Sequence, residues 1–507
     1  MNKRAINELL STSALTALAT TVGTAALVGL HHYYRKQRQP DARLQDYLMG
    51  INIQLTSLAS APFISHQSIS ATQFERLQYA YQQATSAWQQ AYHDGARNAE
   101  YNEGHIADFS ALHTTTMLAR PVCWVSGVAS MPHVASLING EESANGFGVV
   151  GIDADRQIVW QTTMPERVHD IVVQPLNNGL NSSQSGEVNK ANKHSRRDVV
   201  VMGRRPSADF WVLDTATGQV QFAIKAATDR HFYGHACYSL DGKRLYVTEN
   251  DTVSLAGKIG IYEVNNRYQK VAEFDSQGIG PHELIMHPDG ETLIIANGGI
   301  KTEQASREEL NLDSMRPSLA YLNRHDGTLL EQVTPEHNQM SIRHLAMHDD
   351  GTVMIGIQFQ GEKHINVPLV LTHQRGDNEF KPLIMPNNQW QRFHQYIASV
   401  AVDSQHNLLC VTTPIGGCAA LYDLNTRELI GQVQLPDCAG ASVLASNSSS
   451  IAHAGFIVSD GQGQLTTLWP GLLETGLLAL DNDKQAEPIV KNSYLHSLSF
   501  DNHLQAL

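Results

Sequence analysis

Gly278-Ile-Gly-Pro-His-Glu-Leu-Ile-Met-His-Pro-Asp-Gly290 decides the reading of this chain. A glycine-rich loop carries Pro281 and His282 into a short apolar strand at Leu284, Ile285 and Met286. Pro288-Asp-Gly290 then turns the chain: Pro288 presets its own φ, and Gly290 accepts a positive one. A second strand runs from Thr292 to Ala296 and stops at Asn297-Gly-Gly299. Two apolar strands about such a turn make a β-hairpin.

The phrase returns at intervals of roughly 40–60 residues. His235-Ala-Cys-Tyr-Ser-Leu-Asp-Gly242 and His344-Leu-Ala-Met-His-Asp-Asp-Gly351 each lead into a second strand. His169-Asp-Ile-Val-Val-Gln-Pro175 does so after an insertion at 177–195. Two later copies, Ala398-Ser-Val-Ala-Val-Asp-Ser404 and Gly440-Ala-Ser-Val-Leu-Ala445, lack the histidine. An outer hairpin follows in each unit, as in Val212-Leu-Asp-Thr-Ala-Thr-Gly-Gln-Val220, with Asp or Asn closing the third strand. Repeats of this length with four strands are the mark of propeller blades. Inner strands are placed near 123, 169, 235, 282, 344, 399 and 441. The fold is therefore read as all-β, a seven-bladed β-propeller, with six or eight blades as alternatives.

Four segments follow along the chain. Residues 1–40 carry an uncharged apolar run at 9–30 behind Lys3 and Arg4, which reads as an export signal or membrane anchor with a basic flank. Residues 41–118 hold two apolar stripes at helical spacing, Leu44 to Leu58 and Phe74 to Trp88, read as a helical hairpin. Residues 119–475 are the propeller, and 476–507 an irregular C-terminal tail. The insertion at 177–195 is rich in Asn, Ser and Gly and reads as a surface loop.

A net charge of −14 argues against a nucleic-acid partner. The five cysteines are scattered, with no close pair, so neither a disulfide framework nor a thiolate zinc site is indicated. One bridge between Cys410 and Cys418, across a hairpin, stays open. The chain has no Gly-x-Ser-x-Gly elbow and no phosphate-binding glycine loop.

Arg230-His-Phe-Tyr-Gly-His235, Thr248-Glu-Asn250, Gly278-Ile-Gly-Pro-His-Glu-Leu284, Ala296-Asn-Gly-Gly-Ile300, Pro317-Ser-Leu-Ala-Tyr321 and Ser341-Ile-Arg-His-Leu345 recur in order. Over residues 147–470 the chain resembles an exported bacterial family of unknown function. Its members often carry twin-arginine signals, are predicted as propellers and are often encoded beside imelysin-type iron-uptake proteins. Here the twin arginine is degenerate, Asn2-Lys-Arg-Ala-Ile-Asn7, and the helical pair and the 177–195 insertion are additions. The resemblance implies a periplasmic protein, or one anchored to the membrane facing the periplasm, a protein partner in an iron-uptake system, and no established activity.

The repeat places His169, His235, His282 and His344 at one phase of four successive blades, so a closed ring would bring them to one end of the channel. Converging neutral imidazoles suit iron, copper or zinc. His231, Glu283 and Glu249 are further candidate ligands, and Arg204, Arg205 and Arg343 suit an anion at the same mouth. The opposing reading is that each histidine bonds the loop backbone of the next blade. The leading function is an exported binding protein with a metal at its axis; the alternative is a metal-dependent enzyme at the same mouth.

Overall fold

The computed structural model describes residues 112–131, 146–176, 197–302, 309–444, 454–471 and 488–507. The segments read as signal, helical hairpin and 177–195 insertion lie outside these residues, save the last few of 41–118.

Seven antiparallel sheets make up the described chain, six of four strands and one of five. Their innermost strands pack side by side in a closed circuit: Val168–Val173, Arg230–Tyr238, Pro281–Met286, Met340–Met347, Ser399–Asp403, Cys438–Val443 and Ser499–Ala506, which returns to Val168–Val173. This is a seven-bladed propeller. Closing the circuit leaves no inner sheet edge open to another chain.

The closure differs from the sequence expectation. The strand near residue 123, Trp124–Met131, is second in its blade, and the C-terminal strand Ser499–Ala506 lies inside it. Within the 476–507 stretch, residues 488–507 are thus no irregular tail: Ile489–Leu495 is the outer strand of the last blade, and Ser499–Ala506 seals the first. The polar triplet Asp501-Asn-His503 interrupts the apolar pattern of that strand, which hid it. Phe500 and Leu504 nevertheless bury their side chains beside Trp124, Val128 and Val150.

The core lies between the blades. Phe210 and Val212 of the second blade pack on Phe232, Tyr238 and Val247 of the third. Leu293 and Ile295 of the fourth meet Tyr246 and Ile261 of the third. The strand alternation predicted from sequence supplies both faces of each sheet, as face-to-face sheet packing requires.

The turns obey the predicted chemistry. Asp289 Oδ1 accepts the backbone N–H of Glu291 and Thr292 at 2.8 and 2.9 Å, and Gly290 has φ +69°. Asp350 and Asp241 cap the equivalent turns at Thr352 and Lys243. Asp214 does the same in an outer hairpin, accepting from Ala216 and Thr217. All five cysteines are free, so the bridge between Cys410 and Cys418 is not formed.

Candidate metal centre

At most innermost strands the ladder is broken by a β-bulge near the strand start. His169 is the extra residue between the pairs Val168–Gly203 and Asp170–Met202. His282 is the extra residue between Pro281–Asn297 and Glu283–Ala296. Arg343 is extra beside His344, Tyr233-Gly-His235 bulge together, and Asp501-Asn-His503 bulge against Gly127. A bulge releases a residue from the pleat and re-aims its side chain. Here it turns histidines toward the axis.

Five imidazoles meet there, from five successive blades. Ring centroids lie 4.6 Å apart for His169 and His235, 4.7 Å for His235 and His282, and 4.9 Å for His282 and His344. His503 stands 5.1 Å from His235, 5.4 Å from His344 and 5.6 Å from His169. Gly234 is what permits the closest approach. It has φ +110°, and a Cβ there would lie 2.4 Å from His169 Cδ2. The blades that lack the histidine carry Ala398-Ser399 and Ala439 at the corresponding places, so the cluster is one-sided.

Carboxylates stand behind the imidazoles in a repeated pattern. An acid follows the histidine in His169-Asp170 and in His282-Glu283, and each acid reaches the histidine of the next blade. Asp170 Oδ2 lies 3.2 Å from His235 Nδ1, and its Oδ1 lies 3.7 Å from His503 Nδ1. Glu283 Oε2 lies 3.1 Å from His344 Nδ1. His282 Nδ1 pairs with the Arg343 carbonyl at 3.1 Å. That last contact is the backbone anchoring weighed against a ligand role, and among these five it occurs at His282 alone. Both ring nitrogens of His235, Nε2 of His344 and His503, and Nδ1 of His169 are buried without a hydrogen-bond partner, Asp170 standing near His235 Nδ1 as a charge rather than through an aligned bond.

Burial, reinforced by the neighbouring imidazoles and arginines, holds His169, His282 and His344 well below the usual imidazole pKa. Burial takes His503 down to about 3. These rings are neutral and keep a lone pair far into acid. His235 is the exception: burial opposes its charge, but Asp170 and Glu283 outweigh burial and raise its pKa. Burial works against the Asp170 carboxylate too, yet His235 brings it down to about 2. Burial pushes Glu283 up to about 8 against the pull of His235. The contact of Glu283 with His344 is therefore one between neutral groups near pH 7.

The donor atoms fall into two groups, each within 4.8 Å: His235, His282, Glu283 and His344, and His169, His235 and His503. His235 is common to both. Donors opposite one another across a first-row ion stand about 4 Å apart, given bonds of about 2.0–2.1 Å. The residues thus fit a transition ion with a small inward adjustment.

Other predicted residues go elsewhere. Glu249 is bound within its own blade, accepting from Lys270 Nζ at 2.6 Å and Tyr262 at 2.7 Å, and belongs to neither donor group. Its strand ends at the mouth, but a side chain on the face away from the axis packs inside the blade. His231 is buried, stacks on Tyr233 and also stands outside both groups. Arg204 and Arg343 stand beside the imidazoles, Arg204 as a charged neighbour of His169 and Arg343 of His282 and His344, while Arg205 neighbours Arg343 and His231. His287 and His348 sit at hairpin turns, each against an aspartate of its own turn. His503 and Asp170 escaped the sequence reading. The signals were present: His503-Leu504 repeats His344-Leu345, and His169-Asp170 parallels His282-Glu283.

The sequence profile of one family, described as a protein of unknown function (DUF1513), matches residues 189–507. The chain belongs to this family. The match runs to the last residue, and so takes in the sealing strand and His503. No curated protein matches the chain. Among solved structures, a chain of hydrazine synthase from Kuenenia stuttgartiensis is similar at 14% identity and TM-score 0.44, covering 62% of this chain and 86% of its own. A chain of a mitotic checkpoint complex is similar at 13% identity and TM-score 0.39, covering 54% of this chain and 70% of its own.

Proposed function

We propose that this protein binds a first-row transition metal ion at the histidine cluster of its channel. One observation carries the reading. Several imidazoles converge, with Asp170 3.2 Å from Nδ1 of His235, Glu283 3.1 Å from Nδ1 of His344 and a carbonyl on Nδ1 of His282, while Nε2 of His235, His344 and His503 is buried without a partner. A carboxylate behind a histidine fixes its tautomer and sharpens it as a ligand. Imidazole and carboxylate donors without a thiolate suit iron, copper or zinc. Cys237, two residues beyond His235, is held as a thiol by burial.

The test is titration of metal-depleted protein with iron, copper and zinc, alongside His235→Ala/His282→Ala. Wild type should bind, and its melting temperature should rise with metal; saturation at about 100 times Kd adds ~2.7 kcal/mol. The double variant should bind more than tenfold more weakly, on the scale of the roughly 10–100-fold seen even for outer-sphere losses. His287→Ala and His348→Ala serve as controls. Equal binding by wild type and the double variant would leave the histidines as loop anchors.

Export, an iron-uptake role and a partner from such a system belong to the same reading. They are supported by the apolar run behind Lys3 and Arg4 and by the sequence resemblance. Cell fractionation decides the location: recovery from the periplasm or the membrane supports it, and recovery from the cytosol alone ends it.

A further inference from the structure

Beside the imidazoles lies a second group of residues that metal coordination does not use. Arg343 is 5% exposed, and its Nε is buried with no hydrogen-bond partner. The bulge that re-aims His344 makes Arg343 the extra residue of its strand. Arg343 interacts electrostatically with Arg205, Tyr233, Tyr396 and Glu309. Arg204 follows the strand Asp198–Gly203 and neighbours Arg205, Tyr396 and the pair Arg167–Asp501. Tyr396 is the hub, with Arg343, Arg204 and Arg205 all among its charged neighbours.

Asp501 is engaged by Arg167 through two bonds of 2.6 and 2.8 Å. Glu309 is exposed, and is the carboxylate named above that faces Arg343. Arg205 is held by Tyr233, donating to its hydroxyl and lying 4.7 Å over its ring. Neither Arg204 nor Arg343 donates a side-chain hydrogen bond among the described residues. A buried guanidinium with an unmade bond is expensive to keep unless something accepts from it. Two further guanidinium groups and the Tyr396 hydroxyl stand among the neighbouring residues, with Glu309 the exposed carboxylate beside them. That combination recognises oxygen anions, because guanidinium forks match carboxylate and phosphate oxygens.

We propose that Arg204, Arg205, Arg343 and Tyr396 form a binding site for a small oxyanion, a carboxylate or a phosphate, seated against the histidine cluster. The site itself stands on the arginines. Its role as co-ligand, by which the metal is taken together with an anionic oxygen donor, rests on the metal reading above. An anion there would offset both the arginines and the cation, which otherwise repel one another at short range.

Calorimetric titration of metal-depleted protein with citrate and, separately, with inorganic phosphate tests the site without any metal. Wild type should bind at least one of them with 1:1 stoichiometry, weakening as salt rises. Arg343→Gln and Arg204→Gln should each cost roughly tenfold or more in affinity, since a hydrogen bond to a charged group contributes about that much. Arg343→Lys keeps the charge and should lose less, which guards against a folding defect. Arg375→Gln, on the outer surface, should leave affinity unchanged. Stronger binding of citrate assigns the carboxylate, and stronger binding of phosphate the phosphate. No binding of either by wild type, or equal affinity in Arg343→Gln, overturns the proposal. Metal titration without oxyanion reports on the histidine cluster alone, so the two readings fail separately.

Discussion

His169 and His235 approach more closely than any other pair in the cluster, and a glycine makes that approach feasible. Gly234 has a φ that L side chains rarely adopt, and its missing Cβ is the space that His169 fills. Gly234→Ala should therefore cost about 1–3 kcal/mol in backbone strain. It should also push the His169 ring away from its neighbours and weaken metal affinity. Thermal unfolding and metal titration of the same sample check both effects; a wild-type melting temperature would mean that the bulge has slack. The acids behind the rings show why residue type alone does not define a role. Asp170 and Glu283 occupy matching places, yet Asp170 is held ionised by His235 while Glu283 is kept protonated by burial up to about 8.

Among the elements, the third blade is tied by charge as well as by its ladder. Arg230 bridges Asp251 and Glu273, and Lys270 joins Glu273 to the buried Glu249. Burial alone would raise the Glu273 pKa, but Arg230 and Lys270 outweigh it and carry the value from 4.5 down to about 2. A carboxyl whose folded value is depressed binds its proton more readily in the unfolded chain. Its contribution is present above the ordinary value and is lost as pH falls from 4.5 toward 2. Glu273→Gln should thus flatten the acid limb of the stability curve relative to wild type, measured by denaturant unfolding across that range. A limb of unchanged slope would show that the network does not discriminate between folded and unfolded protons.

For the molecule as a whole, closure depends on the last strand. Ser499–Ala506 lies between the inner strands Cys438–Val443 and Val168–Val173, and it delivers His503 to the cluster. Phe500→Ala should cost about 3–5 kcal/mol, the usual range for emptying a buried aromatic site. Because Phe500 packs across two blades, with Ile457 and Leu465 of the last and Val128 of the first, the loss should appear as loosening of the closure. Hydrogen exchange should then rise first in Trp124–Met131 and Cys438–Val443. Uniform exchange across all blades would instead place the weakness elsewhere.

Much of this was legible in order along the chain. The period of the hairpins, the Pro288-Asp-Gly290 turn and its relatives, and the alternation of apolar residues determined a β-propeller and favoured seven blades over six or eight. These are local properties, set by φ preferences and by side-chain alternation over a few residues. The repeat also placed His169, His235, His282 and His344 at one phase. The tertiary structure alone decided which strand closes the ring, since Ser499–Ala506 pairs with Trp124–Met131 across almost the whole described chain and its polar triplet breaks the pattern. It alone separated Glu249, turned into its blade, from Glu283, turned to the next, because a bulge rather than simple alternation sets which way a side chain points at the strand starts. Convergence at an axis is a property of the closed circuit, and no stretch of sequence contains it.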